Sequence, residues 1–462
     1  MDCFTTPQQL IEKSNMYHLN VEQNIARFFP CKTSWRKKLN SIEHFHSSLF
    51  PSGGLHFGGK ISIERFLEAM QSTLQDFDFL FCRFYMEQDD LYAGYSGGTD
   101  ERSNSFVQLE IDERDETINT AALTFILPDK IDERMRTGIV DHLEGLPIGT
   151  FKLTSLKDGF AIGYYLNHAF FDQSSIVYFF KYLSHIYSHG NNRISLKKPM
   201  LVDIESLKAK QSPVFKDLTD LRLYGESIGL RSNKTDDFKV LSAPYTRITA
   251  DLQFSVNKIN HLKGLSDQFI STNDIIHATL LKIYSLNPEL LLDKTLCFTF
   301  PCNMRKRCGL GAEVMGNVVS ICRMLLNTEY IKNATILELA KFNRQYVSDI
   351  SIEKFKENLT WYRHIQKINE TALDYLPSTF NLLHCGATNW STFSYDNIIF
   401  NECTPLALKT PCFASLGISI ISFDNASGKR ILNASICVPS NCFGSLVELG
   451  RNTELFLCKE RS

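Results

Sequence analysis

Apolar positions in the first half of the chain predict helices and strands that share one buried core. Residues 62–75 carry apolar side chains at helical spacing and predict a helix, and residues 77–84 predict a buried strand after it. Two apolar runs, 151–153 and 160–166, flank a Lys-Asp-Gly turn and predict a hairpin. Apolar residues then recur at helical spacing over 174–187. This half therefore mixes strands and helices.

The second half repeats the mixed pattern after a polar interval. Between about residues 190 and 245 the chain is polar and loses its periodicity, which indicates a crossover between domains. The elements predicted beyond it are a helix capped by Ser271 or Thr272, a strand at 296–300, a helix opened by the capping box Thr335-x-x-Glu338, and strands at 416–423 and 431–438.

Neither half alternates strictly between strand and helix, so two α+β domains sharing a cleft are the economical interpretation. The length of 462 residues fits two domains of about 200 residues each. We assign residues 1–190 to the first domain, 191–245 to a crossover linker and 246–462 to the second domain. Each domain is expected to hold a mixed sheet with flanking helices.

Composition limits the partners of the chain. Hydrophobic residues make up 44%, and the formal net charge of −2 leaves no basic surface for nucleic acid. No run approaches the roughly 18 apolar residues that a membrane span needs. The 13 cysteines include no Cys-x-x-Cys pair, so we expect neither a metal site nor a disulfide framework. Reduced thiols predict a cytoplasmic location.

Two motifs suggest ligands but lack necessary parts. Gly54-x-x-x-x-Gly59-Lys60 resembles a phosphate-binding loop, yet Ile61 stands where Ser or Thr would hold magnesium, so a flexible glycine-rich loop is preferred. His44-x-His46 could share one face of a strand and bind a metal. No further ligand completes that set nearby, so the two histidines are interpreted as having no metal function.

His168-x-x-x-Asp172 is a stronger candidate because of its position. It lies where an apolar strand has ended and an apolar helix has not begun, and side chains at such junctions often face clefts. A neutral imidazole in a cleft can act as a general base near neutral pH. Asp172 could orient that ring, or it could anchor the turn.

Several segments together resemble the BAHD acyltransferases, a family within the superfamily of chloramphenicol acetyltransferases and condensation domains. The matching segments are 66–74, 167–172, 271–274, 303–307 with 315–318, and 388–391 with Phe393. They occur in the family's order over about residues 40 to 455. The chain departs from the family at Gln173, where Gly is usual, and at 399–403, which keeps only the Phe of an Asp-Phe-Gly-Trp-Gly motif.

The resemblance implies two chloramphenicol-acetyltransferase-like domains around a shared substrate channel. The implied reaction moves an acyl group from acyl-CoA to the hydroxyl or amine of a small-molecule acceptor. His168 would act as general base in a ternary complex, because no motif places a Ser or Cys beside it for a covalent intermediate. Acyl-CoA would be a co-substrate, no cofactor or metal is expected, and the protein is expected to be a monomer.

Further residues take roles by the same resemblance. Asp172 is expected to turn away from the substrate and pair with Arg305, locking the loop that aims His168. Thr388 and Trp390 match family positions near the developing oxyanion, although a capping residue and a core aromatic are the alternative interpretation. Ser271 and Thr272 could bind phosphate of acyl-CoA at a helix start, or they could simply cap that helix.

Two other functions remain compatible with the sequence. Carrier-dependent condensation enzymes resemble His-His-x-x-x-Asp-Gly, whereas Asn167 precedes His168 here and no carrier domain is present. A non-catalytic binding protein on the same fold is the second alternative. The altered segment 399–403 favours it, and the intact His168 and Asp172 oppose it. Release of coenzyme A from acyl-CoA in the presence of alcohols would distinguish the three.

Overall fold

The computed structural model describes residues 17–460, with gaps. The segments outside the description are 21–23, 33, 97–104, 191–195, 202, 229, 231, 233–246, 287–294, 376–383, 413–417 and 426–427, together with both termini. Much of the predicted crossover and the first residues of the strand predicted at 416–423 therefore lie outside the described residues.

Strands make up the centre of the molecule. They are β1 (Tyr17–Asn20), β2 (Ile25–Phe28), β3 (Ser34–Lys38), β4 (Ser52–Gly58), β5 (Arg83–Glu87), β6 (Asp90–Ser96), β7 (Val107–Glu113), β8 (Gly149–Leu156), β9 (Gly159–Leu166), β10 (Met200–Leu201), β11 (Arg247–Ser255), β12 (Thr295–Asn303), β13 (Val314–Met315), β14 (Val319–Asn327), β15 (His384–Asn389), β16 (Pro405–Lys409), β17 (Ile418–Asp424), β18 (Ile431–Pro439) and β19 (Phe456–Glu460).

Helices flank these strands. They are α1 (Ser41–His46), α2 (Ile63–Leu74), α3 (Leu123–Ile126), α4 (Gln173–His189), α5 (Leu218–Ser227), α6 (Val256–Gly264), α7 (Thr272–Tyr284), α8 (Thr328–Asn333), α9 (Ile336–Asp349), α10 (Ile352–Lys367) and α11 (Phe443–Thr453). The chain also forms short 3-10 helical turns, among them Asp78–Phe81.

One mixed sheet passes through both halves of the chain. Its first part runs β1-β2-β7-β8-β9-β4, with β7 and β8 parallel and the other neighbours antiparallel. It continues through β16 and β17 and then divides into β15-β12-β14 and β18-β11-β19. Strand β16 belongs to the second half of the sequence yet pairs with β4 of the first. The expected α+β fold with mixed sheets and flanking helices is confirmed.

The elements with strong periodicity are confirmed. Helix α2 begins after Ser62, whose hydroxyl accepts a hydrogen bond from the amide of Arg65. The hairpin β8–β9 pairs Gly149 to Leu156 with Leu166 to Gly159 along its whole length. The capping boxes at the starts of α7 and α9 are both formed.

Three local predictions were wrong. Residues 77–84 are not one strand, because the 3-10 turn Asp78–Phe81 precedes β5. A short run that is apolar at every position has no periodicity from which a strand could be told apart from a helical turn. The segment from Gly54 to Gly59 is not a flexible loop, since β4 is hydrogen-bonded to β9 and β16. His44 and His46 lie in helix α1, not on a strand.

The interval predicted as crossover is not wholly irregular. Helix α5 lies within it and packs against α10, where the indole N–H of Trp361 donates to the carbonyl of Leu221 at 2.8 Å. Asp217 caps this helix through two backbone amides. Its apolar positions are too few to produce a clear helical period, so the sequence pattern did not reveal it.

Two opposed glycines let helix α3 cross the sheet. Gly54 on β4 pairs directly with Gly163 on β9. A Cβ atom on Gly54 would lie 2.1 Å from Cδ1 of Ile126, and one on Gly163 would lie 1.9 Å from the carbonyl oxygen of Ile126. The backbone oxygen cannot move away as a side chain could, so only glycine fits at position 163.

We predict that Gly163→Ala lowers the free energy of unfolding by about 1–3 kcal/mol, because helix α3 must be displaced from the strand that leads to His168. Thermal denaturation measures the effect. Gly444→Ala is the control, since a Cβ there meets nothing within 4 Å and the residue lies in helix α11. Equal melting temperatures for the two variants would show that the contact with Ile126 is easily relieved.

Candidate active site

His168 lies in the tight turn between strand β9 and helix α4. Its backbone amide donates to the carbonyl of Leu49 at 2.8 Å, which ties the turn to the end of helix α1. The side chain of Asn167 donates to the carbonyl of Ser47 at 2.6 Å and accepts from the amide of Ala169 at 3.0 Å. The hydrogen-bonded turn therefore holds the His168 backbone in one position.

A cavity of about 430 Å³ opens beside His168 between the two halves of the chain. Its wall includes residues from α1, the β9–α4 turn, β12, β14, β15 and β17. Representative wall residues are His46, His168 and Phe171 from the first half, and Thr299, Asn303, Asn317, Thr388, Trp390 and Ile420 from the second. A ligand in this cavity would contact both halves at once.

Asp172 and Arg305 form a bidentate ion pair across the two halves. The two guanidinium nitrogens of Arg305 lie 2.5 and 3.0 Å from the two carboxylate oxygens of Asp172. Both residues are buried, with 2% and 3% of their surface exposed. Two parallel charge-assisted hydrogen bonds of this kind fix orientation as well as distance.

The remaining hydrogen-bonding capacity of this pair is also used. Asp172 caps helix α4 by accepting from the amide of Ser175 at 2.9 Å, and it accepts from the amide of Val318 at 3.2 Å. Arg305 donates to the carbonyls of Val314 and Gly316, each at 2.9 Å. The carboxylate of Asp172 is thus directed to Arg305 and the backbone, and no direct hydrogen bond joins it to His168 among the described residues.

Burial keeps the His168 imidazole neutral. Removal from water lowers the pKa of His168 below its ordinary value of 6.5, while the residue's own carbonyl and the charge of Asp172 act weakly in the opposite direction. A neutral imidazole has one lone pair with which it can accept a proton. The ring is therefore in the form that a general base requires at neutral pH.

Asn317 contacts His168, and the sequence motif did not assign it a role. Its side-chain nitrogen lies 3.0 Å from Nδ1 of His168, and its side-chain oxygen is buried with no hydrogen-bond partner among the described residues. The Gly-Asn segment that contains it was visible in the sequence. Its proximity to a histidine 149 positions earlier depends on the folded structure alone.

His46 is the second residue of the cavity that sequence analysis missed. Its ring centre lies 5.1 Å from that of His168, and its Nδ1 donates to the carbonyl of Ile42 at 2.8 Å. Burial lowers the pKa of His46 to about 3, so this ring too is neutral. The pattern Asn40-x-x-Glu43 is a capping box, and it was the available signal that His46 lies on a helix.

Thr388 and Trp390 both line the cavity. Thr388 lies on β15 opposite Ile420 of β17, and the amide of Trp390 donates to the carbonyl of Ile421 at 2.9 Å. The end of β15 therefore brings both side chains to the wall on the side of the second half. Their assignment to the oxyanion remains a prediction.

Ser271 and Thr272 do not belong to the cavity wall. The hydroxyl of Ser271 is occupied, since it donates to Asp274 at 2.7 Å and accepts from Arg344 at 2.8 Å. Asn273 of the same turn does reach the cavity, where Asn389 donates to its side-chain oxygen at 3.0 Å. A role for Ser271 and Thr272 in binding acyl-CoA stays a prediction.

The two departures from the family pattern have distinct surroundings. Gln173 lines the cavity and donates to the hydroxyl of Tyr395 at 2.7 Å, a contact that glycine could not make. Phe400 is fully buried against Phe57 and Phe66 in the core of the first half, whereas Asn401 and Glu402 form a turn with positive φ. Segment 399–403 therefore packs against the first half through Phe400 and does not line the cavity.

These features define a two-lobed α+β protein with a half-buried, neutral histidine in a cavity between its lobes. Residues 105–404 match the sequence model of the transferase family, and the chain belongs to that family. The match covers most of the chain and confirms the resemblance inferred from the motifs. No curated protein matches the chain by sequence.

Solved structures of similar fold extend over nearly the whole chain. TRI101 of F. sporotrichioides, complexed with coenzyme A and T-2, is 14% identical with a TM-score of 0.66, over 92% of this chain and 99% of that one. Vinorine synthase is 14% identical with a TM-score of 0.59, over 89% and 92%. The epimerization domain of tyrocidine synthetase B is 14% identical with a TM-score of 0.52, over 92% and 97%.

In the described part of the chain, no group of three or more His, Cys, Asp or Glu side chains could hold a metal ion. Within the same residues, no helix is long and apolar enough to cross a membrane.

We predict that Asp172→Asn and Arg305→Ala each lower the free energy of unfolding by about 3–5 kcal/mol, because each leaves a buried charged partner without its counterion. The double variant should lose less than the sum, since the second change removes the group that the first had left unpaired. Chemical denaturation of the three variants measures both effects.

Glu87→Gln is the matched control, because it breaks the exposed ion pair between Arg36 and Glu87 and should change stability by less than about 1 kcal/mol. Strict additivity of the two buried substitutions would contradict a structural role for the pair. An unchanged melting temperature for Asp172→Asn, with lower turnover, would indicate that Asp172 acts on His168 directly.

Proposed function

We propose that the protein transfers an acyl group from acyl-CoA to the hydroxyl of a small-molecule acceptor, with His168 as the general base. The observation that carries the proposal is the neutral imidazole of His168 on the wall of a cavity shared by both halves. Membership of the transferase family supports the reaction class, and similarly folded structures that contain coenzyme A support the donor.

In the proposed reaction both substrates are bound at the same time. The acceptor hydroxyl gives its proton to His168 while its oxygen attacks the thioester carbonyl. The tetrahedral intermediate then collapses, the carbon–sulfur bond breaks, and the imidazolium returns the proton to the sulfur of coenzyme A. Proton transfer by a positioned side chain typically contributes about 10²–10⁴-fold. An amine could replace the hydroxyl in the same scheme.

Asn317 would set the tautomer of His168. The base needs its lone pair on Nε2 and therefore a proton on Nδ1. If the Asn317 amide is turned so that its oxygen faces Nδ1, that oxygen accepts the Nδ1 proton over 3.0 Å and gains the partner it otherwise lacks.

Thr388 and Trp390 would provide donors to the oxyanion of the intermediate. A hydroxyl and an indole N–H are both competent donors, and one such donor is typically worth about 3–4 kcal/mol in a site that excludes water. Both side chains line the cavity that contains His168. Asp172 and Arg305 would act at a distance by fixing the turn that carries the base.

Two other functions are less well supported. A carrier-dependent condensation enzyme is the first alternative. The fold is similar to that of the epimerization domain of tyrocidine synthetase B, but a likeness at 14% identity concerns the fold alone. A non-catalytic binding protein would have no need of a neutral imidazole on the wall of the cavity. The reaction with free acyl-CoA distinguishes both from the proposed acyltransferase.

We predict that His168→Ala lowers acyl transfer at least about 100-fold, because the attacking oxygen loses its proton acceptor. Release of coenzyme A from acetyl-CoA in the presence of a mixed alcohol library measures transfer, and mass spectrometry identifies the acylated product. His142→Ala, at an exposed position, is the control and should be fully active. Near-native turnover by His168→Ala would disprove the mechanism.

The pH dependence of the reaction should report the lowered pKa of His168. The imidazole acts as a base only when it is neutral, so kcat/KM should decline as pH falls through the pKa in the folded enzyme. Because burial lowers that pKa, the midpoint should lie below 6.5.

Asn317→Asp would place a negative charge beside Nδ1, which stabilises the imidazolium and should move the midpoint to higher pH. Asn317→Ala is the companion variant, since it removes the amide without adding charge and should not raise the midpoint. A wild-type midpoint at or above 6.5, or no movement in Asn317→Asp, would contradict the assignment of His168 as the titrating base.

A further inference from the structure

Two cysteines are neighbours on the strands that form one wall of the cavity. Cys302 on β12 pairs with Ser320 on β14, so Cys322, two residues further on, is its diagonal neighbour on the same face. The alternate residues Asn303 and Ile321 line the cavity. Since side chains alternate along a strand, the two cysteines lie on the opposite face of the sheet.

An arginine contacts the sulfur of Cys302, and a second thiol lies on the neighbouring strand. The Arg307 guanidinium donates to Sγ of Cys302 at 3.2 Å, and the thiol of Cys322 donates to the carbonyl of Ser320, the residue that pairs with Cys302, at 3.7 Å. Arg307 is itself held by the carbonyl of Val347 at 3.0 Å. In the part of the chain that the structure describes, Arg307 forms no ion pair with a carboxylate, so its charge is available to a thiolate.

The pKa values of the two thiols are shifted in opposite directions. The interaction with the neighbouring Cys322 thiol, together with the charges of Arg307 and Arg344, lowers the pKa of Cys302 to about 7, although burial acts against this. The interaction with Cys302 and burial raise the pKa of Cys322 well above its ordinary value. Tyr346 is the further titratable group that faces Cys322. Cys302 is therefore the more readily ionised thiol and Cys322 stays protonated.

The two thiols also differ in their exposure to solvent. Cys302 is half-buried, whereas Cys322 has 5% of its surface exposed. Cys308, in the segment after β12, is also half-buried, and burial raises its pKa although the charge of Lys356 acts in the opposite direction. An oxidant that reaches this face would meet the sulfur of Cys302 before that of Cys322, and a larger fraction of Cys302 than of Cys308 would be thiolate.

We propose that Cys302 and Cys322 are a site of reversible oxidation, at which a hydroperoxide oxidises Cys302 and Cys322 then closes a disulfide bond. In the first step the thiolate sulfur attacks the terminal peroxide oxygen, the oxygen–oxygen bond breaks, and a sulfenic acid and hydroxide (or alkoxide) form. In the second step the sulfur of Cys322 attacks the sulfenic sulfur and the sulfur–oxygen bond breaks. The Cys322 proton combines with the departing hydroxide to form water.

The two steps balance in electrons, because the two thiols give two electrons to the peroxide. A dithiol reductant reverses the reaction by two successive thiol–disulfide exchanges. The new bond would join β12 to β14 behind the cavity wall without consuming any residue that lines the cavity. The site is therefore independent of the acyl-transfer proposal, and its test requires no acyl acceptor.

The test treats the reduced full-length chain with graded hydrogen peroxide, blocks the remaining thiols with N-ethylmaleimide and maps peptides by mass spectrometry. We expect a peptide pair linked through Cys302 and Cys322, at a peroxide concentration at least about tenfold below that which oxidises Cys308. Dithiothreitol should abolish the linked pair. Cys322→Ser should stop at a sulfenic acid on Cys302, which dimedone labels.

Arg307→Ala should slow formation of the link several-fold, because the thiolate loses its nearest cation. Lys306→Ala is the matched control, since it removes an exposed charge from the same turn and should leave the rate unchanged. The proposal is overturned if no linked pair forms in the wild-type chain, if Cys302 reacts no faster than Cys308, or if Arg307→Ala leaves the rate unaltered. These readouts do not depend on enzyme activity.

Discussion

The buried ion pair between Asp172 and Arg305 is the interaction on which the arrangement of the cavity depends. It joins the turn after β9 to the segment after β12, two parts of the chain that are 133 positions apart. The same carboxylate caps helix α4 and binds the amide of Val318, and the same guanidinium binds the carbonyl of Gly316. These bonds bring Asn317 to His168 as a geometric consequence.

The two halves are held together at further places, so the cavity between them is not a loose cleft. Strand β16 extends the sheet of the first half by pairing with β4, and Phe400 just before it packs in the core of that half. Gln173 reaches Tyr395 across the same boundary. A site built on packed strands and helices can hold donors in place before the reaction begins, which is the condition for electrostatic stabilisation of a transition state.

The sequence predicted what depends on local pattern and missed what depends on distant contacts. Helices α2 and α4 and the hairpin β8–β9 have strong periods, and each formed as expected. The run 77–84 is apolar on every side and has no period, so its type could not be predicted. Gly54 to Gly59 has the composition of a loop, but the glycines serve a close approach between helix α3 and the sheet.

The same division applies to the site. His168, Asp172 and Arg305 were identified because they belong to segments that resemble a family pattern. Asn317 was part of such a segment without an assigned role, and His46 was judged incidental, because each approaches His168 only through tertiary contacts. Ser271 matched the pattern too, yet its hydroxyl is occupied by Asp274 and Arg344.

The charge of the cavity wall constrains where the substrates can lie. Among the described residues that line the cavity, Asp172 is the only acidic or basic side chain apart from the two histidines, and Arg305 neutralises it. Burial keeps both His46 and His168 uncharged. Such a wall suits an acyl chain and a neutral acceptor, and it offers the phosphates of coenzyme A no counterion. In the proposed reaction the phosphates would therefore remain outside the cavity, and the negative charge that develops on the thioester oxygen would be met by neutral donors and by the imidazolium formed at His168.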